Sequence, residues 1–141
     1  MSDAKTEKKL PHPAPPASAL TQPMWDAARQ GKLLLQYDRK AGRFQFFPRP
    51  LALYSGTDEV EWREASGRGK LYAWTLVHVP VRGLEDAAPY VSAAVELDEG
   101  VRLMARIVDC DPKTLKPGQR VRVAWDKVGD GSQAMYVFRP E

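Results

Sequence analysis

Cysteine is nearly missing from this sequence: Cys110 is the only one in 141 residues. One thiol cannot close an internal disulfide, which excludes a disulfide-stapled secreted scaffold and makes the chain read as cytosolic. Long apolar runs are missing too. None approaches the roughly 18 residues that a membrane span needs. Met1 to Lys9 are polar and charged with no apolar signal-peptide core behind them, so the cytoplasm is the expected location. Charge of one sign does not dominate. With 21 basic and 18 acidic residues, the net charge is +3 and the pI about 9.1. An obligate DNA binder shows a concentrated basic face, and no such block stands out. No internal repeat is visible. Gly67-Arg68-Gly69 is too short to be a phosphate-cradling loop.

Proline, by contrast, is plentiful at the start. Residues 11, 13, 15 and 16 are prolines, which break helix and strand alike, so residues 1–20 are expected to be a disordered or loosely draped tail. His12 falls in this tail and is read as idle, because a histidine ligand needs partners. A short helix is predicted over 21–32, capped by Thr21, with Pro23 in its first turn and Gly31 ending it. Met24, Trp25, Ala27 and Ala28 form its apolar side. Leu33 to Gln36 reads as a strand. Residues 37–61 show little periodicity and carry Gly42, Pro48, Pro50 and Gly56 among Phe44, Phe46 and Phe47. Such a stretch needs an external organiser, a metal or a neighbouring surface.

Beyond Trp62 the pattern becomes regular. Ser66-Gly67-Arg68-Gly69 is a flexible turn. Five strands are predicted over 70–79, 90–97, 101–108, 120–126 and 135–138. The first places Leu71, Ala73, Thr75, Val77 and Val79 on one face. The second alternates Val91, Ala93, Val95 and Leu97, and the third Val101, Leu103, Ala105 and Ile107. Asp98-Glu99-Gly100 makes a hairpin turn between them. A longer link, ending in Pro117-Gly118, separates the third strand from the fourth. This layout predicts a mainly β chain: a small five-stranded OB-type barrel over 63–141, preceded by the helix and the irregular segment 33–62.

Several separated pieces, in order, carry a family likeness. They are Trp25 with Gly31-Lys32-Leu33, Phe47-Pro48-Arg49, Trp62, the 66–69 turn, Tyr72-x-Trp74-Thr75, Pro89-Tyr90, the run from Val95 to Arg102, Pro117-Gly118, Val121-x-Val123 and Phe138-x-Pro140. Over about residues 25–140 the chain resembles the DUF35 family, in which a rubredoxin-like zinc ribbon precedes an OB-fold. That family is found alongside thiolases and thiolase-like acyl-CoA enzymes. The ribbon's two C-x-x-C pairs fall on Asp38, Ala41, Ala52 and Ser55. A closed structural zinc site takes four thiolate or imidazole ligands. Two alanines offer no donor, so a metal-free ribbon is expected. Its lost metal is expected to be replaced by apolar packing of Tyr37, Phe44, Phe46, Phe47, Leu51, Leu53 and Tyr54.

The resemblance implies acyl-CoA handling near the ribbon–barrel junction. Coenzyme A needs cations for its phosphates and an apolar slot for pantetheine and acyl groups. Arg49, Arg68 and Lys70 are the candidate cations, and Trp62, Trp74 and Tyr90 the candidate walls. The plainer alternative is that these are core aromatics and solvated charges. No catalytic residue is assigned. Cys110 stands between Asp109 and Asp111, whose charges blunt a thiol. Ser66 and Ser92 have no evident histidine partner, His78 reads as an ordinary sheet residue, and Asp98 and Glu99 belong to a turn. The expected function is a non-catalytic partner of a thiolase-like enzyme, or of a hydratase or aldolase, docking through residues 24–62 and holding or shielding a coenzyme A thioester. Two rivals stand beside it. One is a standalone acyl-CoA-binding protein. The other is an OB-type single-strand nucleic-acid binder using Lys70, Tyr72, Trp74, Arg102 and Arg106.

Overall fold

In the computed structural model, which describes residues 10–141, the first helix, α1, spans Gln22–Ala28. Pro23 occupies its first turn, where a missing N–H is no loss. Gly31, at φ 72°, turns the chain away. Thr21 stands at the N-cap, but its hydroxyl bonds to Ser18 and not to the helix. Seven residues are too few to hold a helix in water. Packing holds this one: Met24, Trp25 and Ala28 are buried, and the Trp25 ring stacks on Tyr136 at 6.1 Å.

Three short strands follow: β1 (Leu34–Asp38), β2 (Arg43–Gln45) and β3 (Val60–Glu64). They form an antiparallel sheet of order β2-β1-β3. The sequence shows only the first of them, because β2 is three residues long and β3 is charged.

Five longer strands close a barrel. They are β4 (Arg68–Val77), β5 (Tyr90–Leu97), β6 (Arg102–Ile107), β7 (Arg120–Val128) and β8 (Gln133–Pro140). Their order is β4-β5-β6-β8-β7. All pairs are antiparallel except β6 with β8, which meet in parallel at Ile107 and Phe138. This is the expected five-stranded OB-type barrel. Val91, Ala93, Val95 and Leu97 of β5, with Leu103, Ala105 and Ile107 of β6, are buried as their alternation requires.

β4 departs from its predicted face. Leu71 is inside, yet Ala73 and Thr75 are exposed, and Val79, beyond the strand end, is 86% exposed. Trp74 and Leu76 pack on the core instead. A β-bulge between Leu71 and Ala73 inserts one residue into the β4–β5 pairing. One extra residue reverses side-chain parity for the rest of a strand, and period-2 reading of the sequence carries no mark of it.

Residues 10–20, expected within a disordered tail, contain no helix or strand, as their prolines dictate. They nevertheless lie against the barrel. The Gly129 N–H donates to the His12 carbonyl at 2.9 Å. Gly83 leaves no room for a side chain, since a Cβ there would stand 2.7 Å from the Pro11 carbonyl oxygen. The remainder of the expected tail, residues 1–9, lies outside the described residues.

Candidate functional site

The turn after β1 and the turn at 52–55 face each other at the tip of the small sheet, and the four expected ligand positions lie there. Asp38 is wholly buried. Its Oδ1 accepts from the N–H groups of Lys40 and Ala41 and from the Ser55 hydroxyl, at 3.0–3.1 Å. Its Oδ2 accepts from the Ser55 N–H at 3.0 Å. Ala52 is buried, and its carbonyl accepts from the Gly56 N–H. One carboxylate thus ties the two turns together through hydrogen bonds. Burial pushes the Asp38 carboxyl up, but its hydrogen bonds to Ala41, Ser55 and Lys40 outweigh this and hold it below its ordinary value of 3.8. The residues do not fit a zinc ion: two positions are methyl groups, and both oxygens of the third already receive protein donors. Among the described residues no group of three or more His, Cys, Asp or Glu is placed to hold a metal.

A second polar network holds the loop from Arg49 to Leu53. Gln36 and Gln45 are buried, and Gln45 donates to Gln36 at 2.8 Å. Gln36 accepts from the Arg49 N–H and donates to its carbonyl. Gln45 accepts from the Leu53 N–H and donates to the Leu51 carbonyl. The expected apolar replacement of the metal is therefore corrected. The interior of the tip is polar, and Phe47, Leu51, Leu53 and Tyr54 face outward, 42–54% exposed. Gln36 and Gln45 hold the Arg49, Leu51 and Leu53 backbone inward, which leaves the Leu51 and Leu53 side chains facing solvent. Only part of the expected cluster packs: Tyr37 meets Phe44 edge-on at 5.0 Å, and Phe44 and Phe46 touch the core.

The outcome is an apolar patch on a rigid support, with a shallow groove of about 400 Å³ lined by Arg49 to Leu53 and Gly56. Arg49 lines it and is exposed, as are Arg39, Lys40 and Arg43 at the turn between β1 and β2. Arg43 lies over the Tyr54 ring at 3.8 Å. Contiguous apolar surface with a polar rim marks an interaction site.

The six candidate coenzyme A residues are not gathered into one cavity. Arg49 lines the tip groove, while Tyr90 lines a separate cavity on the barrel wall. Lys70 pairs with Glu96 at 3.5 Å and Arg68 with Glu141 at 3.7 Å. Trp62 and Trp74 are half-buried and pack on the core. Lys70 and Val77, the partner of Tyr90, stand at opposite ends of β4, about 23 Å apart at strand rise.

The cations of the nucleic-acid reading are likewise engaged. Arg102 lies over the Tyr72 ring at 3.8 Å and bonds to Glu96 at 2.9 Å. Arg106 bonds to Asp126 at 2.6 Å. A stacking platform already covered by an arginine is a poor base reader. Burial, then the charges of Asp111 and Asp109, pushes the Cys110 thiol up, away from the reactive thiolate. His78 is exposed just past the end of β4. Glu99 accepts from the Ser66 N–H and hydroxyl, and Asp98 takes a two-pronged bond from Arg120 at 2.8 and 2.9 Å. Both turn carboxylates brace the barrel. No helix of the described residues is long and apolar enough to cross a membrane.

Sequence reasoning missed His12. Its Nδ1 lies 2.6 Å from Asp126 and its Nε2 3.0 Å from Asp86. The reading of His12 as idle is thereby corrected. A lone histidine among prolines gives no signal of partners 74 and 114 residues away.

Residues 62–126 match the family described as the C-terminal OB-fold domain of ChsH2. The chain is 31% identical over 121 residues to a DUF35 domain-containing scaffold protein of Pyrococcus furiosus, covering 82% of this chain and 89% of that protein. A protein of the same description in Methanothermobacter thermautotrophicus is 36% identical over 84 residues, covering 57% of this chain and 63% of the relative, so the chain spans less than two thirds of its length. It is 30% identical to the 3-oxo-4,17-pregnadiene-20-carboxyl-CoA hydratase alpha subunit of Mycobacterium tuberculosis, over 90% of this chain and 40% of that subunit. Among solved structures, the Ltp2-ChsH2(DUF35) aldolase superposes with a TM-score of 0.81 at 28% identity, over 90% of this chain and 98% of that one.

Proposed function

The chain belongs to the DUF35 family, and from that premise we propose that it is a non-catalytic accessory subunit of a thiolase-like, hydratase or aldolase enzyme of the cytoplasm, helping to hold or shield an acyl-CoA thioester in its partner's site. The observation that carries this reading is the superposition on the DUF35 chain of an aldolase over nearly its whole length. The scaffold descriptions of the archaeal relatives and the hydratase subunit agree with it.

The docking element is the tip at 47–54. Its exposed Phe47, Leu51, Leu53 and Tyr54 are held by buried hydrogen bonds, so little ordering entropy is lost on docking. The catalytic groups belong to the partner, and this chain excludes water and orients the thioester. Arg49 lines the tip groove, and on this reading it is the candidate cation that contacts a coenzyme A ligand shared with the partner.

Co-expression with a thiolase-like, hydratase or aldolase protein from the same genome tests the reading. The two are expected to co-purify, and the partner's activity on acyl-CoA is expected to depend on this chain. Leu51→Asp with Leu53→Asp is expected to weaken the complex by at least about 30-fold, with an unchanged melting temperature. A chain that neither co-purifies nor alters activity overturns the proposal. Tight acyl-CoA binding by the isolated chain, measured by calorimetry, favours the standalone binder instead.

A further inference from the structure

An open-sided cavity of about 260 Å³ lies on the barrel wall beside β6 and β8, away from the docking tip, with Met104 at its open side. Its walls are largely apolar: Leu84, Met104, Met135 and Val137, with Tyr90 and Tyr136. Its lid is the proline-rich segment, because His12 and Pro13 complete the lining. The segment is seated at both sides. Pro11 and Pro13 lie on Gly83, where a Cβ would come within 2.7 and 3.1 Å of them, and Ala14 lies on Gly129.

At its centre the Gly129 N–H donates to the His12 carbonyl at 2.9 Å, and the His12 side chain supplies the other fastening. Both ring nitrogens of His12 face carboxylates, Asp126 of β7 and Asp86 of the loop between β4 and β5. A carboxylate only accepts, so both bonds exist together only when the imidazole carries two protons. Arg106 of β6 donates to the same Asp126 oxygen at 2.6 Å. With His12 charged, Asp126 faces two cations, His12 and Arg106, and Asp86 faces His12. With His12 neutral, one ring nitrogen turns a lone pair towards a carboxylate. Lys127 of β7 lines the shallow hollow outside, with Leu10 and Pro11.

We propose that residues 10–14 are a lid over this cavity, latched by the doubly protonated His12, and that the cavity admits a compact apolar group when the latch releases. Burial opposes the charge on His12, but the bonds and charges of Asp126 and Asp86 outweigh it and raise its pKa above 6.5. A raised histidine stabilises the closed lid fully below the unfolded value, and this is lost as pH rises through the folded value. The lid is closed in mild acid and loosens in mild alkali. Apparent affinity scales with the open fraction.

Methionine methyl NMR on the full chain, with benzene as the probe, tests this, since benzene fills apolar cavities of this order. Met104 and Met135 line the cavity, and Met24 is buried in the core away from its lining. Benzene is expected to shift Met104 and Met135 but not Met24, with at least about threefold higher affinity at about pH 9 than at about pH 5.5. His12→Asn is expected to give the alkaline affinity at both pH values, and Asp86→Asn to move the change to lower pH. Equal affinity at both pH values, a pH dependence that survives His12→Asn, or no shift at Met104 and Met135 overturns the proposal.

Discussion

Replacing Asp38 with alanine is expected to open the tip of the small sheet and start thermal unfolding at least about 10 °C lower. The carboxylate is the single acceptor for four donors: the N–H groups of Lys40, Ala41 and Ser55 and the Ser55 hydroxyl. Alanine leaves the three N–H groups without their acceptor and the Ser55 hydroxyl with only Thr57, a costly way to lose hydrogen bonds. Amide exchange at Ala41 and Ser55 is expected to accelerate first, while β5 stays protected. Asp38→Asn is expected to fall between, because one amide face would meet donors with donors. The same bonds set a pH dependence. A depressed carboxyl stabilises above its unfolded value, and that contribution is lost as pH falls through the lower folded value, below 3.8. Chelators are expected to leave the wild-type melting curve unmoved. Stoichiometric zinc in purified protein, or an Asp38→Ala variant that melts with the wild type, would refute the carboxylate clamp.

The second large effect is expected at Gly69, where alanine should lower the melting temperature by about 10 °C, from about 3 kcal/mol of overpacking. Gly69 is buried where β4 pairs with β5 on one side and β7 on the other, opposite Leu97 and Val121. A Cβ there would stand 2.4 Å from the Glu96 carbonyl oxygen and 3.0 Å from the Leu97 Cα. These are backbone atoms of a paired strand and cannot step aside as a flexible side chain would. Relief requires parting β4 from β5 at the barrel seam. Gly118→Ala is the matched control. Its Cβ would meet nothing within 4 Å, so it bears only the strain of φ +80°, about 1 kcal/mol. Equal melting temperatures for the two variants would refute the close approach.

The barrel was legible because β5 and β6 bury one face and so alternate without interruption, from Val91 to Leu97 and from Leu103 to Ile107. Their hairpin was legible because Asp98-Glu99-Gly100 has the residues a tight turn demands, with Gly100 at φ 90°. The Tyr72 bulge was not legible, since inserting a residue changes register without changing composition. The tip was half legible. Asp38, Ala41, Ala52 and Ser55 kept their spacing, so their meeting was expected. What joined them was misread, because hydrophobicity alone points Leu51 and Leu53 inward, while Gln36 and Gln45 claim the interior.

The sequence by itself determined what these 141 residues cannot build: an internal disulfide or a four-thiolate zinc site, for want of cysteines, and a spanning helix, for want of a long apolar run. It also determined the barrel strands that obey a local period. Only the tertiary structure decided which groups meet across long stretches of chain. It closed the Asp38 clamp, turned the 47–54 loop outward and set His12 between Asp86 and Asp126. The reason is physical. Strand periodicity and turn chemistry act between near neighbours, whereas a buried hydrogen bond is satisfied by whichever donor the folded chain brings within about 3 Å.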